Sequence, residues 1–141
     1  MLTEDYFLRQ IAQAATVLAK VLGLSKSGKY QEASLMINQA IEDLVGLNAN
    51  IVKQMNDFGL ISILMSGQGF DCGKAYVLAE LFKMDGDVLA DQGQKGESQE
   101  SYQRALMLYY EYTNQCADKL TKEIQKKIDE LEKDILEHGK G

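Results

Sequence analysis

Few residues in this 141-residue chain could do chemistry, and they are scattered. Asp57-Phe58-Gly59 spells the metal-binding tripeptide of protein kinases, but no glycine-rich loop, paired lysine or catalytic loop accompanies it. Phe58 is then expected in the core and Asp57 as a helix cap. The stretch from Gly67 to Lys74 sets glycines and a lysine before a helix. It fails the phosphate-loop spacing, because Gln68 stands where the first glycine belongs and Ala75 replaces the magnesium-binding hydroxyl. It reads as an inter-helix loop with Asp71 capping the following helix. An alternative is a small-molecule pocket or small enzyme site beside Gly67–Gly73. His138 is the only histidine, and one histidine with two distant cysteines makes no zinc site. Cys72 and Cys116 lack a neighbouring base for nucleophilic catalysis and read as free, partly buried thiols. No catalytic residue, metal or cofactor is therefore expected.

The tyrosines stand out more. Tyr102, Tyr109, Tyr110 and Tyr112 crowd one predicted helix. At 100° per residue the last three spread around most of its circumference, so they cannot share one face. Tyr102 and Tyr109 suit the core ridge, and Tyr110 and Tyr112 are expected to pack under a C-terminal helix. The alternative is an interaction surface made by Tyr76, Tyr109, Tyr110 and Tyr112, since tyrosine is enriched at binding interfaces.

The elements that must hold these residues are helical. The chain has no proline, which favours long helices. Helix one is expected from about Glu4 to Leu22, with Thr3 as cap, Leu2 and Phe7 as a staple, and a stop near Gly23. Its stripe is Phe7, Ile11, Ala14, Leu18 and Val21. A turn at residues 25–28 leads to helix two, about Tyr30 to Val45, ended by Gly46. Short helices over Ala49–Met55 and around Ile61–Met65 fill an irregular middle. Lys74 to Tyr112 reads as two helices joined by a turn between Gly93 and Gly96. Gly86 interrupts the first of them at about 1 kcal/mol relative to alanine, which implies a close approach by a neighbour.

These residues resemble the tetratricopeptide repeat, a helix–turn–helix with a sparse pattern of large and small positions. Phe82, Gly86, Leu89, Gly93, Ser98, Tyr102 and Ala105 occupy that pattern, while Asp85 departs from its usual leucine. A weaker copy carries Gly28, Tyr30, Ala33, Ile37 and Ala40. The Gly28 and Gly93 turns are 65 residues apart, a little short of two repeats. The LTEDYFLRQI opening, the GKYQEA turn and the LAELFKMDGD block are similar to those of a small bacterial family of TPR-like proteins. That resemblance implies a fold and transfers no activity.

The expected architecture is thus one all-α domain, a TPR-like array of antiparallel helix hairpins. A first hairpin spans 1–46, an irregular section 47–73, a second hairpin 74–112 and a C-terminal helix 113–138. In the last, Leu120, Ile124, Ile128, Leu131 and Ile135 form a seam, the final four in alternating steps of four and three. Folding back onto the repeats is favoured over a weak homodimer. The net charge of −6 argues against nucleic acid, which demands clustered Lys and Arg. Lys20 breaks the one long apolar stretch, so no membrane span is expected and the location reads as cytoplasmic. The function that follows is a non-enzymatic module binding a protein or peptide.

Overall fold

The computed structural model describes residues 2–116 and 120–139, without the side chains of 2–5, 121, 138 and 139. The expected Thr3 cap, the Leu2 staple and the His138 contacts lie outside the described side chains.

The fold is all-α. Among the described residues, seven helices run in the order α1 (Leu2–Lys26), α2 (Tyr30–Val45), α3 (Ala49–Lys53), α4 (Asp57–Ile63), α5 (Cys72–Asp91), α6 (Lys95–Gln115) and α7 (Thr121–Gly139). A two-residue antiparallel ladder, β1 (Met65–Ser66) with β2 (Gly69–Phe70), separates α4 from α5.

Two hairpins, α1–α2 and α5–α6, turn in the same way. Gly28 has φ +75° and Gly93 has φ +81°, a region cheap only for glycine. After Gly28, Lys29 N–H donates to Leu24 O and Gly28 N–H to Ser25 O. After Gly93, Gln94 N–H donates to Leu89 O and Gly93 N–H to Ala90 O. Both are Schellman closures that satisfy the last carbonyls of the first helix. The next residues, Lys29 (φ −89°, ψ 63°) and Gln94 (φ −92°, ψ 72°), start the second helix in matching conformations. Ala33 and Ser98, Ile37 and Tyr102, and Ala40 and Ala105 then hold equivalent places. The α1 helix therefore runs on through Gly23, where a Cβ would meet nothing, and stops only where Gly28 closes it.

The middle of the chain departs from expectation in two places. Asn56, not Asp57, caps α4, its Oδ1 accepting from Gly59 N–H at 2.8 Å. Phe58 is not a core residue but 79% exposed. Leu60 and Leu64, four residues apart on one face, turn inward and leave Phe58 on the far side. The Gly67–Gly73 stretch is not purely a loop, since it contains β2 and the tip of the small hairpin.

The core lies around α5, which touches α1, α2 and α6. Leu78, Leu81, Phe82 and Val88 are buried on it, with Tyr102, Ala105, Leu108 and Tyr109 opposite on α6. At their crossing, a Cβ on Gly86 would stand 2.5 Å from two ring carbons of Tyr102, and Ser98 Oγ donates to Gly86 O at 2.7 Å. The close approach at Gly86 is thus made by a tyrosine ring. α7 lies against α6 and buries Ile124, Ile128 and Leu131, with Leu120 and Ile135 half-covered at the ends of the row. Glu80 pairs with Lys127 at 2.9 Å, tying α5 to α7.

Cys72 and Cys116 form a disulfide, contrary to the expectation of free thiols. Cys72 opens α5 and Cys116 follows the end of α6, and an antiparallel hairpin brings those two ends level.

Candidate functional site

The alternative of a tyrosine interaction surface does not assemble. Tyr109 and Tyr112 are fully buried and Tyr76 nearly so. Tyr76 makes edge contacts with Phe7 at 6.3 Å and Tyr112 at 6.2 Å between ring centroids, which joins α1, α5 and α6. Burial raises the Tyr76 and Tyr109 phenols first, with the nearby Glu80 carboxylate adding to it. Only Tyr110 reaches solvent, and its hydroxyl donates to Glu132 on α7 at 2.9 Å. α6 buries more of its circumference than one ridge because α5 packs on one side and α7 on another. These tyrosines therefore hold helices together.

The polar cluster on α5 is likewise built into the frame. Asp85 is buried and accepts from Lys53 Nζ at 3.0 Å and Ser101 Oγ at 2.6 Å. It thereby links α3, α5 and α6. Two residues on, Asp87 accepts from the Tyr102 hydroxyl at 2.6 Å and from Lys83 at 2.7 Å. Burial and then the Asp87 hydrogen bond raise the Tyr102 phenol. Among the described residues, no three His, Cys, Asp or Glu side chains come together as metal ligands would.

Among the described residues, α1 lacks cover on its outer face. Its row Phe7, Ile11, Ala14, Leu18 and Val21 faces α2 and α5, with Ala14 and Val21 buried. One residue further on, Leu8, Ala12, Ala15, Ala19 and Leu22 repeat the same steps of four and three, and all five are exposed. Leu8 is 56% and Leu22 46% accessible. Tyr6–Lys26 reaches the length and mean hydropathy of a membrane-crossing helix, 21 residues at 1.2, despite Lys20, and only 17% of its apolar window is buried. The expectation that no stretch reaches that length and composition is corrected here. The second row was readable in the spacing, but the first row absorbed the helical pattern.

The region of the Gly67–Gly73 stretch borders a cavity between α1, the β1–β2 ladder and the start of α5. Asp71 caps α5 as expected, its Oδ1 accepting from Lys74 N–H at 3.0 Å. Compared with known proteins, the chain matches no family model, no curated protein and no solved structure.

Proposed function

We propose that this chain is a non-enzymatic, TPR-like interaction module, and that it receives a helix of a protein partner on the outer face of α1. The observation that carries this is the doubled seam of α1. Two adjacent rows share one spacing; the inner row packs on α2 and α5, and the outer row Leu8, Ala12, Ala15, Ala19, Leu22 has no cover. Steps of four and three are the spacing by which one helix meets another, and alanines between leucines let the partner backbone come close. The matched turns at Gly28 and Gly93 support the TPR-like reading, since repeat units reuse one local geometry.

The α7 seam is a poorer interface. Ile124, Ile128 and Leu131 are covered within the chain, so a homodimer through them would first have to detach α7. The cytoplasmic location expected from the sequence requires the Cys72–Cys116 pair to stand reduced there, because cytosolic thiols are kept so.

The test uses Ala15→Arg, a change at an exposed position. The wild-type chain and the variant are each used to recover partners from their own cell, with light scattering on both proteins. The expected result is a partner recovered by the wild type and lost with Ala15→Arg at unchanged melting temperature. If both chains recover the same proteins, the outer row of α1 is not the docking face. A wild-type dimer that Ala15→Arg turns into a monomer would make the partner helix a second α1.

A further inference from the structure

The disulfide has two unlike ends. Cys72 is half-buried and borders a cavity of about 660 Å³, whose wall includes Tyr6, Phe7, Ile11 and Phe70. Its Sγ stands 3.8 Å from the carbonyl oxygen of Phe70, which sets the sulfur beside that wall. Cys116 is 5% exposed and belongs to the apolar core. The backbone sharpens the difference. Cys72 is the first residue of the 20-residue α5, where the helix dipole favours a thiolate. Cys116 follows the last turn of α6, where the dipole disfavours one. The Asp71 carboxylate opposes part of the effect at Cys72, although its Oδ1 is engaged by Lys74 N–H at 3.0 Å. Reachable thiolates exchange with disulfides, whereas buried thiols are inert.

We propose that Cys72–Cys116 is a reversible redox pair, in which Cys72 exchanges with small disulfides and thiols and Cys116 resolves the mixed disulfide. Starting from two protein thiols, the Cys72 thiolate attacks one sulfur of a small disulfide RSSR. A Cys72–S–S–R bond forms, the S–S bond of RSSR breaks, and RS⁻ leaves. Cys116 loses its proton to water and attacks the Cys72 sulfur. The Cys72–Cys116 bond closes and the second RS⁻ is expelled. RSSR gains two electrons, the two cysteines lose them, and their two protons end on the two released thiols. Reduction by a small thiol runs the same steps backwards and therefore also enters at Cys72. The apolar wall and the Asp71 carboxylate favour an uncharged exchange partner over an anionic one. The chemistry needs no helix docked on α1 and no protein partner.

The probe is bis(2-hydroxyethyl) disulfide, which is small and uncharged. It is added in excess to the reduced wild type, to Cys116→Ser and to Cys72→Ser, and adducts are followed by mass spectrometry. Circular dichroism shows whether each chain is folded. Cys116→Ser should hold a stable adduct on Cys72, formed at least roughly tenfold faster than Cys72→Ser forms one on Cys116. In urea that unfolds both variants, the two rates should converge. The wild type should keep no adduct and close to the internal disulfide. The proposal is overturned if neither folded variant reacts, if both react at equal rates, if the difference persists in urea, or if the wild type retains an adduct on each cysteine. Should a variant fail to fold, the wild type decides. Acid quenching at early times and peptide mapping should then find the first adduct on Cys72, and a first adduct on Cys116 overturns the proposal.

Discussion

Gly86→Ala inverts the usual rule for helices. Alanine inside a helix is worth about 1 kcal/mol over glycine, and Gly86 lies in the middle of α5. Its new Cβ, however, would stand 2.5 Å from Cδ1 and Cε1 of Tyr102. That ring is 1% exposed, and its hydroxyl is fixed on Asp87 at 2.6 Å. The ring must shift by roughly 1 Å to restore ordinary contact, and such overpacking costs about 1–3 kcal/mol. The net expectation is a loss of roughly 1 kcal/mol, the overpacking cost less the helix gain. The control is Tyr102→Ala, which removes the ring. On its own it lowers stability by about 3–5 kcal/mol. In that background Gly86→Ala should turn stabilising, by up to about 1 kcal/mol. Urea denaturation of the four proteins of this cycle measures both signs, with the slope checking that unfolding stays cooperative. A stabilising Gly86→Ala in the wild-type background, or equal effects in both backgrounds, would refute the close approach of α5 and α6 at this point.

Three further outcomes follow from the packing. Ile128→Lys puts a charge at a 1% exposed position between α7 and α6 and should cost several kcal/mol, lowering the melting temperature equally at low and high protein concentration. Concentration-dependent melting of the wild type alone would instead mark a dimer seam. The phenols of Tyr76, Tyr102 and Tyr109 are all raised in the fold above the ordinary phenol value of about 10, so the unfolded chain loses these protons first as pH rises. Stability is fully present below pH 10 and should fall above it by roughly 4 kcal/mol per pH unit, about 1.4 for each phenol. Denaturation between pH 9 and 11, with tyrosinate absorbance as the monitor, reads this; a flat profile contradicts the burial. Reducing Cys72–Cys116, or replacing both with serine, releases a loop of 44 residues and should cost about 4 kcal/mol on the chain-entropy account, seen as a lower urea midpoint. An unchanged midpoint in reductant would show that the bond does not constrain the unfolded chain.

The helix boundaries show what local chemistry encodes. α2 begins at Tyr30 and ends at Val45 as its pattern implies, because Gly46 at φ +74° is a true stop. Gly23 looks alike in sequence but sits in helical backbone, and only the turn made by Gly28 distinguishes the two. Phe58 was legible as apolar but not as outward, since α4 is too short for a periodicity to fix its face. The disulfide was legible in principle. Cys72 and Cys116 each lie 22 residues from Gln94, so a hairpin turning there sets them side by side. Tyr109 falls on the inward ridge by spacing alone, but the burial of Tyr112 needed the position of the Tyr76 ring, which is not a local property. The outer α1 row, by contrast, is a spacing visible in the residues.

The covalent link between the start of α5 and the end of α6 also changes how the molecule bears load. A chain pulled by its termini transmits force through Cys72, the sulfur bridge and Cys116, bypassing everything between. α1 to α4 and α7 can be drawn out, while residues 73–115 feel no tension. About 150 Å of contour, at ~3.4 Å for each of the 44 bypassed residue steps, stays hidden until the bridge is reduced. The same closure means that a single cut within α5 or α6 leaves one connected molecule. The central hairpin is therefore guarded against both pulling and nicking, and the outer helices are not.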